Sequence, residues 1–208
     1  MVLPPAFKSM TKEFDNVYQF RIELQEIKPL IWRRIQVPET YSFWDLHVAI
    51  QDSMGWTDSH LHEFVIRNPK TRRTINIGFP DEDFGRKVSE GWKKNMADFF
   101  DPKNPKAEYA YDFGDDWQHI VTLEAILPRQ KGVKYPLCLA GERACPPEDC
   151  GGSHGYENFL EIIMDPDHEE HDSMLEWAGG EFHPEHFDCS EVVFDDPAER
   201  LKNLDEGY

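Results

Sequence analysis

The stretch Tyr18-Gln19-Phe20-Arg21-Ile22-Glu23-Leu24 alternates apolar and polar residues without interruption. A period of two with one polar face is typical of an antiparallel strand that buries its other face. Lys28-Pro29 ends this run, and a second strand-like run covers residues 31–37 before Pro38. The short gap between the two runs predicts a β-hairpin.

A helix signal follows the hairpin. Ser42 is a suitable N-cap, and Asp45 three residues later has the spacing of a capping box. Gly55 is suited to end the helix in the left-handed conformation. The predicted helix has an apolar stripe at three- and four-residue steps, formed by Phe43, Leu46, His47, Ile50 and Met54.

Further strand signals follow the helix, at residues 61–66 and 73–77. A second hairpin is predicted over residues 109–123, where two alternating runs flank the turn Gly114-Asp115-Asp116. The order strand, strand, helix and more strands is typical of a β-grasp (ubiquitin-like) mixed sheet with a helix across one face. The fold class is therefore predicted as α+β.

The chain changes character after residue 130. A loop rich in Cys and Pro leads into two predicted helices, at about 156–164 and 168–178, which form a C-terminal helical addition. We predict a loose N-terminal arm over residues 1–15 and one domain over residues 16–208. Residues 16–130 would form its core of sheet and helix, and residues 131–208 the Cys/Pro loop and the C-terminal helices.

Composition excludes several classes of protein. The 208 residues include 22 Lys and Arg against 40 Asp and Glu, a net charge of −18. This charge disfavours direct contact with nucleic acid or with an anionic membrane, and favours a basic protein partner. No apolar stretch approaches the ~20 residues of a membrane span. Four Cys in 208 residues are too few for a disulfide scaffold, which predicts reduced thiols in the cytoplasm.

Four segments together resemble a known family. They are Ile31-Trp32-Arg33-Arg34-Ile35; Phe43-Trp44-Asp45-Leu46-His47; Tyr111-Asp112-Phe113-Gly114-Asp115-Asp116-Trp117; and Ala144-Cys145-Pro146-Pro147-Glu148-Asp149. From about residue 18 to residue 187 the chain resembles the plasmid pRiA4b ORF-three-like family, some of whose members are labelled passenger TnpR proteins of an insertion element. The resemblance implies an α+β fold and an association with plasmids or mobile elements, and it implies no reaction.

One candidate metal site consists of thiols and an imidazole. Cys138, Cys145, Cys150 and His154 could supply four ligands for zinc. Their gaps contain no Cys-x-x-Cys knuckle, and buried or unreactive thiols are the alternative interpretation. No other cofactor is predicted.

A candidate ligand site combines an arginine with the second hairpin. Arg33 has the strand parity of its apolar neighbours, so its guanidinium needs a carboxylate partner or a ligand. Asp45, Asp112 and Asp115 are the candidate partners. Trp117 and His119 complete the predicted set, although the acids are also ordinary turn residues and His119 has the parity of a core histidine.

A further pair is His60 and His62. Alternate residues share one face of a strand, so both rings could reach one metal or one ligand. The alternative is that the pair lies on the solvated face of a strand.

The sequence assembles no nucleophile, base and orienting group, so no catalytic residue is assigned. The leading hypothesis is a non-enzymatic binding or protein-interaction module. The alternatives are a metal-assisted enzyme acting on nucleic acid, and an acidic mimic of nucleic acid that blocks a DNA-binding protein. Elemental analysis would separate the enzyme from the interaction module.

Overall fold

A computed structural model describes residues 13–80 and 87–206 of the chain, so most of the predicted arm lies outside the described residues. The strands are β1 Asn16–Leu24, β2 Trp32–Pro38, β3 His62–Arg67, β4 Thr74–Gly78, β5 Val88–Glu90, β6 Lys106–Tyr111, β7 Trp117–Pro128 and β8 Leu137–Glu142. The α-helices are α1 Phe43–Met54, α2 Gly152–Met164, α3 His171–Trp177 and α4 Pro197–Glu206.

The strands form one sheet in the order β5-β4-β3-β6-β7-β1-β2-β8. Both predicted hairpins, β1–β2 and β6–β7, are confirmed. The sheet is mixed because β4 and β5 pair in parallel, while the other strand pairs are antiparallel. The β-grasp topology is not confirmed. A ubiquitin-like sheet sets a parallel strand beside its first strand, whereas β1 runs antiparallel to both β2 and β7.

Helix α1 begins and ends where the sequence predicts. Ser42 is its N-cap in a complete capping box with Asp45, and Gly55 ends it with φ 93°. The helix crosses one face of the sheet, where the ring of Phe43 packs edge-on against Phe64 at 5.2 Å. Buried residues of β1, β2, β3, β6 and β7 complete the main core with this helix. The helix therefore places its buried face directly over the central strands.

The C-terminal part contains the two predicted helices and two elements that the sequence did not reveal. Strand β8 joins the sheet edge beside β2, and α4 returns to α1, where Trp44 Nε1 donates to the carbonyl of Pro197 at 2.8 Å. Val193 of the tail is 76% exposed, whereas four other apolar residues of the tail pack against the main core: Phe182, Phe187, Val192 and Phe194. In the described part of the chain, no helix has the length and apolarity needed to cross a membrane.

Candidate functional site

The residues predicted to line a ligand site do not meet in one concavity. Asp45 serves the capping box, where its Oδ2 accepts from Ser42 N at 2.7 Å. Trp117 and His119 lie in the core. Nδ1 of His119 donates to the carbonyls of Tyr109 and Trp117, at 3.2 and 3.1 Å. Burial lowers the pKa of His119 to about 4, so this ring is neutral at physiological pH.

Of the two acids of the hairpin turn, Asp112 bonds within the turn and Asp115 bonds to the Cys/Pro loop. Asp112 has φ 55°, and its Oδ1 accepts from Gly114 N at 2.9 Å. Asp115 Oδ2 accepts from Gly151 N at 3.1 Å. A Cβ at Gly152 would lie 2.5 Å from the carbonyl oxygen of Asp115, so only glycine permits this approach. The turn therefore packs against the N-terminus of α2 and fixes its position.

Arg33 is 1% exposed, and its partners are backbone carbonyls rather than the carboxylates considered above. The guanidinium donates at 2.8–3.0 Å to the carbonyl oxygens of Trp32, Ser53, Glu142 and Arg143. Phe187 covers it with the ring centroid 3.7 Å from Cζ. Burial lowers the pKa of Arg33, and nearby thiols oppose that shift. Because each nitrogen of the Arg33 guanidinium donates a hydrogen bond to a backbone carbonyl, we interpret Arg33 as a structural residue.

The predicted zinc ligands Cys138, Cys145, Cys150 and His154 have no common centre. Burial raises the pKa of each of the three thiols to about 12, so all three are protonated at neutral pH. Cys138 contacts the thiol of Cys189. The His154 side chain is 99% exposed on α2, beside Glu157. Among residues 13–80 and 87–206, these cysteines and His154 form no group with ligand atoms close together.

His60 and His62 belong to two different groups of side chains. Strand β3 begins at His62, so the parity rule of a strand does not extend back to His60. Leu61 between them accepts a backbone hydrogen bond from Asp112 at 2.9 Å. The prediction that both rings reach one metal is therefore wrong, and each histidine joins its own pair of potential ligands.

One of these groups lies beneath α1, and we call it the buried cluster: His47, Gln51, Asp58, His62 and Tyr109. His47 Nε2 lies 2.6 Å from Asp58 Oδ1, and its Nδ1 lies 2.8 Å from the Tyr109 hydroxyl. Gln51 Nε2 donates to the same hydroxyl at 2.9 Å. The rings of His47 and His62 stack with centroids 3.4 Å apart and planes at 8°. The buried cluster thus joins side chains from helix α1, the loop after it and strands β3 and β6.

The hydrogen bonds of the buried cluster fit the following proton arrangement. Tyr109 accepts from Gln51 and donates its hydroxyl proton to Nδ1 of His47. His47 then carries its proton on Nε2 and donates to Asp58. Burial and the nearby His47 hold the pKa of His62 well below its usual range, so the His62 ring is neutral.

Three buried atoms of the cluster have no hydrogen-bond partner: His62 Nε2, Asp58 Oδ2 and Gln51 Oε1. His62 is 3% exposed and Gln51 is fully buried. An unsatisfied buried polar group costs about 1–3 kcal/mol. Three such atoms leave the buried cluster with hydrogen-bonding capacity that the described residues do not fill.

The second group lies at the protein surface, and we call it the open group: His60, Asp112 and Asp149. His60 Nε2 lies 3.0 Å from Asp149 Oδ1 and 3.7 Å from Asp112 Oδ2. The Asp149 side chain is 69% exposed, so solvent reaches this group. Asp112 is the one predicted ligand that takes part in it.

The sequence reasoning missed His47 and Asp58. The signal for His47 was present, since it is the one polar residue in the apolar stripe of α1. Asp58 carried no signal, because it belongs to an irregular loop and has φ 61°. Only the folded chain brings it within 2.6 Å of His47.

Acidic charge is concentrated in one part of the chain, residues 144–199, which we call the acidic segment. It contains 17 Asp and Glu and no Lys or Arg. The other 152 residues have 23 acids and 22 Lys and Arg, so they contribute only −1 to the net −18. All of its acids except Glu148 are exposed. Three large apolar residues of the segment are also exposed: Met164 at 75%, Trp177 at 49% and Val193 at 76%.

A family model, a sequence relative and a solved structure each match most of the chain. The family model described as "Plasmid pRiA4b ORF-3-like protein" matches residues 16–191. "Uncharacterized protein y4hQ" of Sinorhizobium fredii is 36% identical over 165 residues, 79% of this chain and 81% of the relative. The crystal structure of a protein of unknown function, MM3350 of Methanosarcina mazei Go1, is 48% identical. The match covers 88% of the present chain and 100% of the MM3350 chain, with a TM-score of 0.81. The chain therefore belongs to the plasmid pRiA4b ORF-3-like family, as its motifs predicted.

Proposed function

We propose that the chain is a non-enzymatic interaction module, which binds a basic segment of a partner protein on the face formed by α2 and α3. The concentration of the net charge in the acidic segment carries this proposal. A field of one sign on one face attracts a partner of opposite sign and accelerates its association. The balanced remainder of the chain exerts no comparable attraction.

The same face offers apolar anchors. Trp177 packs edge-on against Phe159 at 5.9 Å while half of its surface stays exposed. A groove at the end of α3 is lined by Asp172, Leu175, Glu176, Gly179 and Gly180. Aromatic residues surrounded by polar ones are typical energetic centres of protein interfaces. We therefore expect a basic helix or strand with at least one apolar side chain.

The test uses a synthetic amphipathic peptide rich in Lys and Arg with Leu anchors, titrated at two salt concentrations. The triple variant Glu169→Gln, Glu170→Gln, Glu176→Gln should weaken binding about five-fold, because exposed charge pairs contribute about 0.3 kcal/mol each. Trp177→Ala should weaken it about ten-fold. The matched control Glu26→Gln, Asp98→Asn, Glu108→Gln removes three exposed acids elsewhere and should change affinity less than two-fold.

Two results would contradict the proposal that the partner binds on the face formed by α2 and α3, which we call the docking face. If both triple variants weaken binding equally, the attraction is a general charge effect without a defined face. If the affinity does not fall with rising salt, the charge of the acidic segment plays no part.

A metal-assisted enzyme is the second candidate, favoured by the accessibility of the open group. An imidazole and two carboxylates suit a divalent ion that keeps coordination positions for substrate. The test is hydrolysis of bis(p-nitrophenyl) phosphate with Mn²⁺. Turnover that depends on Asp149 and disappears in Asp149→Asn would support it, and a rate equal to that of Mn²⁺ alone would dismiss it.

A further inference from the structure

We propose that the buried cluster is a binding site for a divalent transition-metal ion, with His47, Asp58 and His62 as the ligands. This site is independent of the docking face and of the open group. One potential ligand atom from each of these residues lies within 4.8 Å of the other two. Two imidazoles and one carboxylate form a donor set that suits Zn²⁺, Fe²⁺ or Mn²⁺ better than Ca²⁺ or Mg²⁺.

The unpartnered atoms point to a ligand. His62 Nε2 and Asp58 Oδ2 are buried without any hydrogen-bond partner. The His47 and His62 side chains are almost completely buried, and the Asp58 side chain is 6% exposed. A cation would satisfy imidazole and carboxylate lone pairs at once.

The neighbouring residues act as supports for such a site. Metal-bound histidines usually hold a hydrogen bond at the other ring nitrogen, which fixes the orientation of the ring. His47 has this support, since Tyr109 contacts its Nδ1 while Nε2 faces Asp58. When an ion displaces the Nε2 proton, Nδ1 becomes the donor to Tyr109. The unpartnered Oε1 of Gln51 can then accept the Tyr109 proton if the amide group turns over.

The stacked rings predict a structural change on binding. An ion lies in the plane of each imidazole that binds it, whereas the His47 and His62 rings are parallel with centroids 3.4 Å apart. Binding therefore requires the two rings to tilt away from each other. Two-dimensional NMR of the imidazole nitrogens would detect both the tilt and the loss of the Nε2 proton.

The experiment measures zinc in the full chain, treated with a chelator and then titrated with Zn²⁺ alone. We expect about one tightly bound equivalent. Asp58→Asn preserves shape and tolerates the left-handed backbone at φ 61°, so it should remain folded while its affinity falls at least ten-fold. His62→Phe should do the same, with circular dichroism verifying the fold. The matched control His60→Ala disrupts only the open group and should bind as the parent does.

Substitution with Co²⁺ provides a second readout. The absorption spectrum should lack a thiolate-to-metal charge-transfer band, because none of the proposed ligands is a cysteine. The proposal fails if the parent binds less than about 0.2 equivalents. It also fails if binding survives Asp58→Asn and is lost in His60→Ala, or if the cobalt spectrum shows thiolate ligands.

Discussion

Helix α1 covers two buried polar pockets that differ in their hydrogen bonding. Beside the C-terminal end of α1, the guanidinium of Arg33 donates four hydrogen bonds to backbone carbonyls. Near its middle, the buried cluster leaves three polar atoms without partners. The sequence made Arg33 the better candidate for a ligand site, since a charge on an apolar face demands a partner. The structure reverses that ranking, because backbone carbonyls accept four hydrogen bonds from the Arg33 guanidinium. Hydrogen bonding of a buried polar residue by the surrounding backbone therefore favours a structural role over a ligand site.

The largest loss of stability is expected at Arg33, whose guanidinium nitrogens all have hydrogen-bond partners. Arg33→Met should lower the free energy of unfolding by about 3–5 kcal/mol, because four buried carbonyls lose their donor. Urea denaturation measures this loss. Arg34→Met is the matched control, since Arg34 pairs at the surface with Glu124 at 2.6 Å and should cost less than about 1 kcal/mol. Equal losses for the two variants would remove the distinction between the pockets.

A pH titration tests an intermediate case, His119, whose Nδ1 is bonded while its Nε2 is not. Its pKa is about 4 in the folded chain and about 6.5 when unfolded. The unfolded state therefore binds the proton first, so stability falls as the pH drops from about 6.5 to 4, by roughly 3 kcal/mol.

The variant His119→Gln keeps an N–H donor without titrating, and should remove the part of the slope that His119 contributes. His62, whose pKa is also lowered by burial, keeps its own contribution. His154→Gln replaces an exposed histidine and should leave the slope unchanged. An identical pH profile for the parent and His119→Gln would show that the buried ring does not control acid stability.

The smallest effect is expected in the incomplete pocket. Without metal, His62→Phe should change stability by less than about 1 kcal/mol. It removes an unpartnered nitrogen, and a ring can still stack on His47. With Zn²⁺ present, the parent should gain thermal stability and this variant should not. A loss in the metal-free protein as large as that of Arg33→Met would assign His62 a structural role.

Local elements of the fold were predictable to within a few residues. The alternation in β1, the capping box of Ser42 and Asp45, and the turn between β6 and β7 depend on neighbouring residues alone. Strand β8 was not recognised because its sequence, Leu-Cys-Leu-Ala-Gly-Glu, has little alternation and it lies at the edge of the sheet. Sheet order also escaped prediction, since pairing between distant strands leaves little trace in a single sequence.

The sequence by itself determined the α+β class, the first hairpin, the caps of α1 and the family. It also contains the charge asymmetry of the acidic segment, since a count of residues needs no coordinates. Only the tertiary structure decided which polar residues meet. It separated His60 from His62, surrounded Arg33 with carbonyls, and joined a helix residue, a loop acid and a strand residue as His47, Asp58 and His62. Residue spacing predicts contacts only within one regular element, whereas these contacts join three elements through packing.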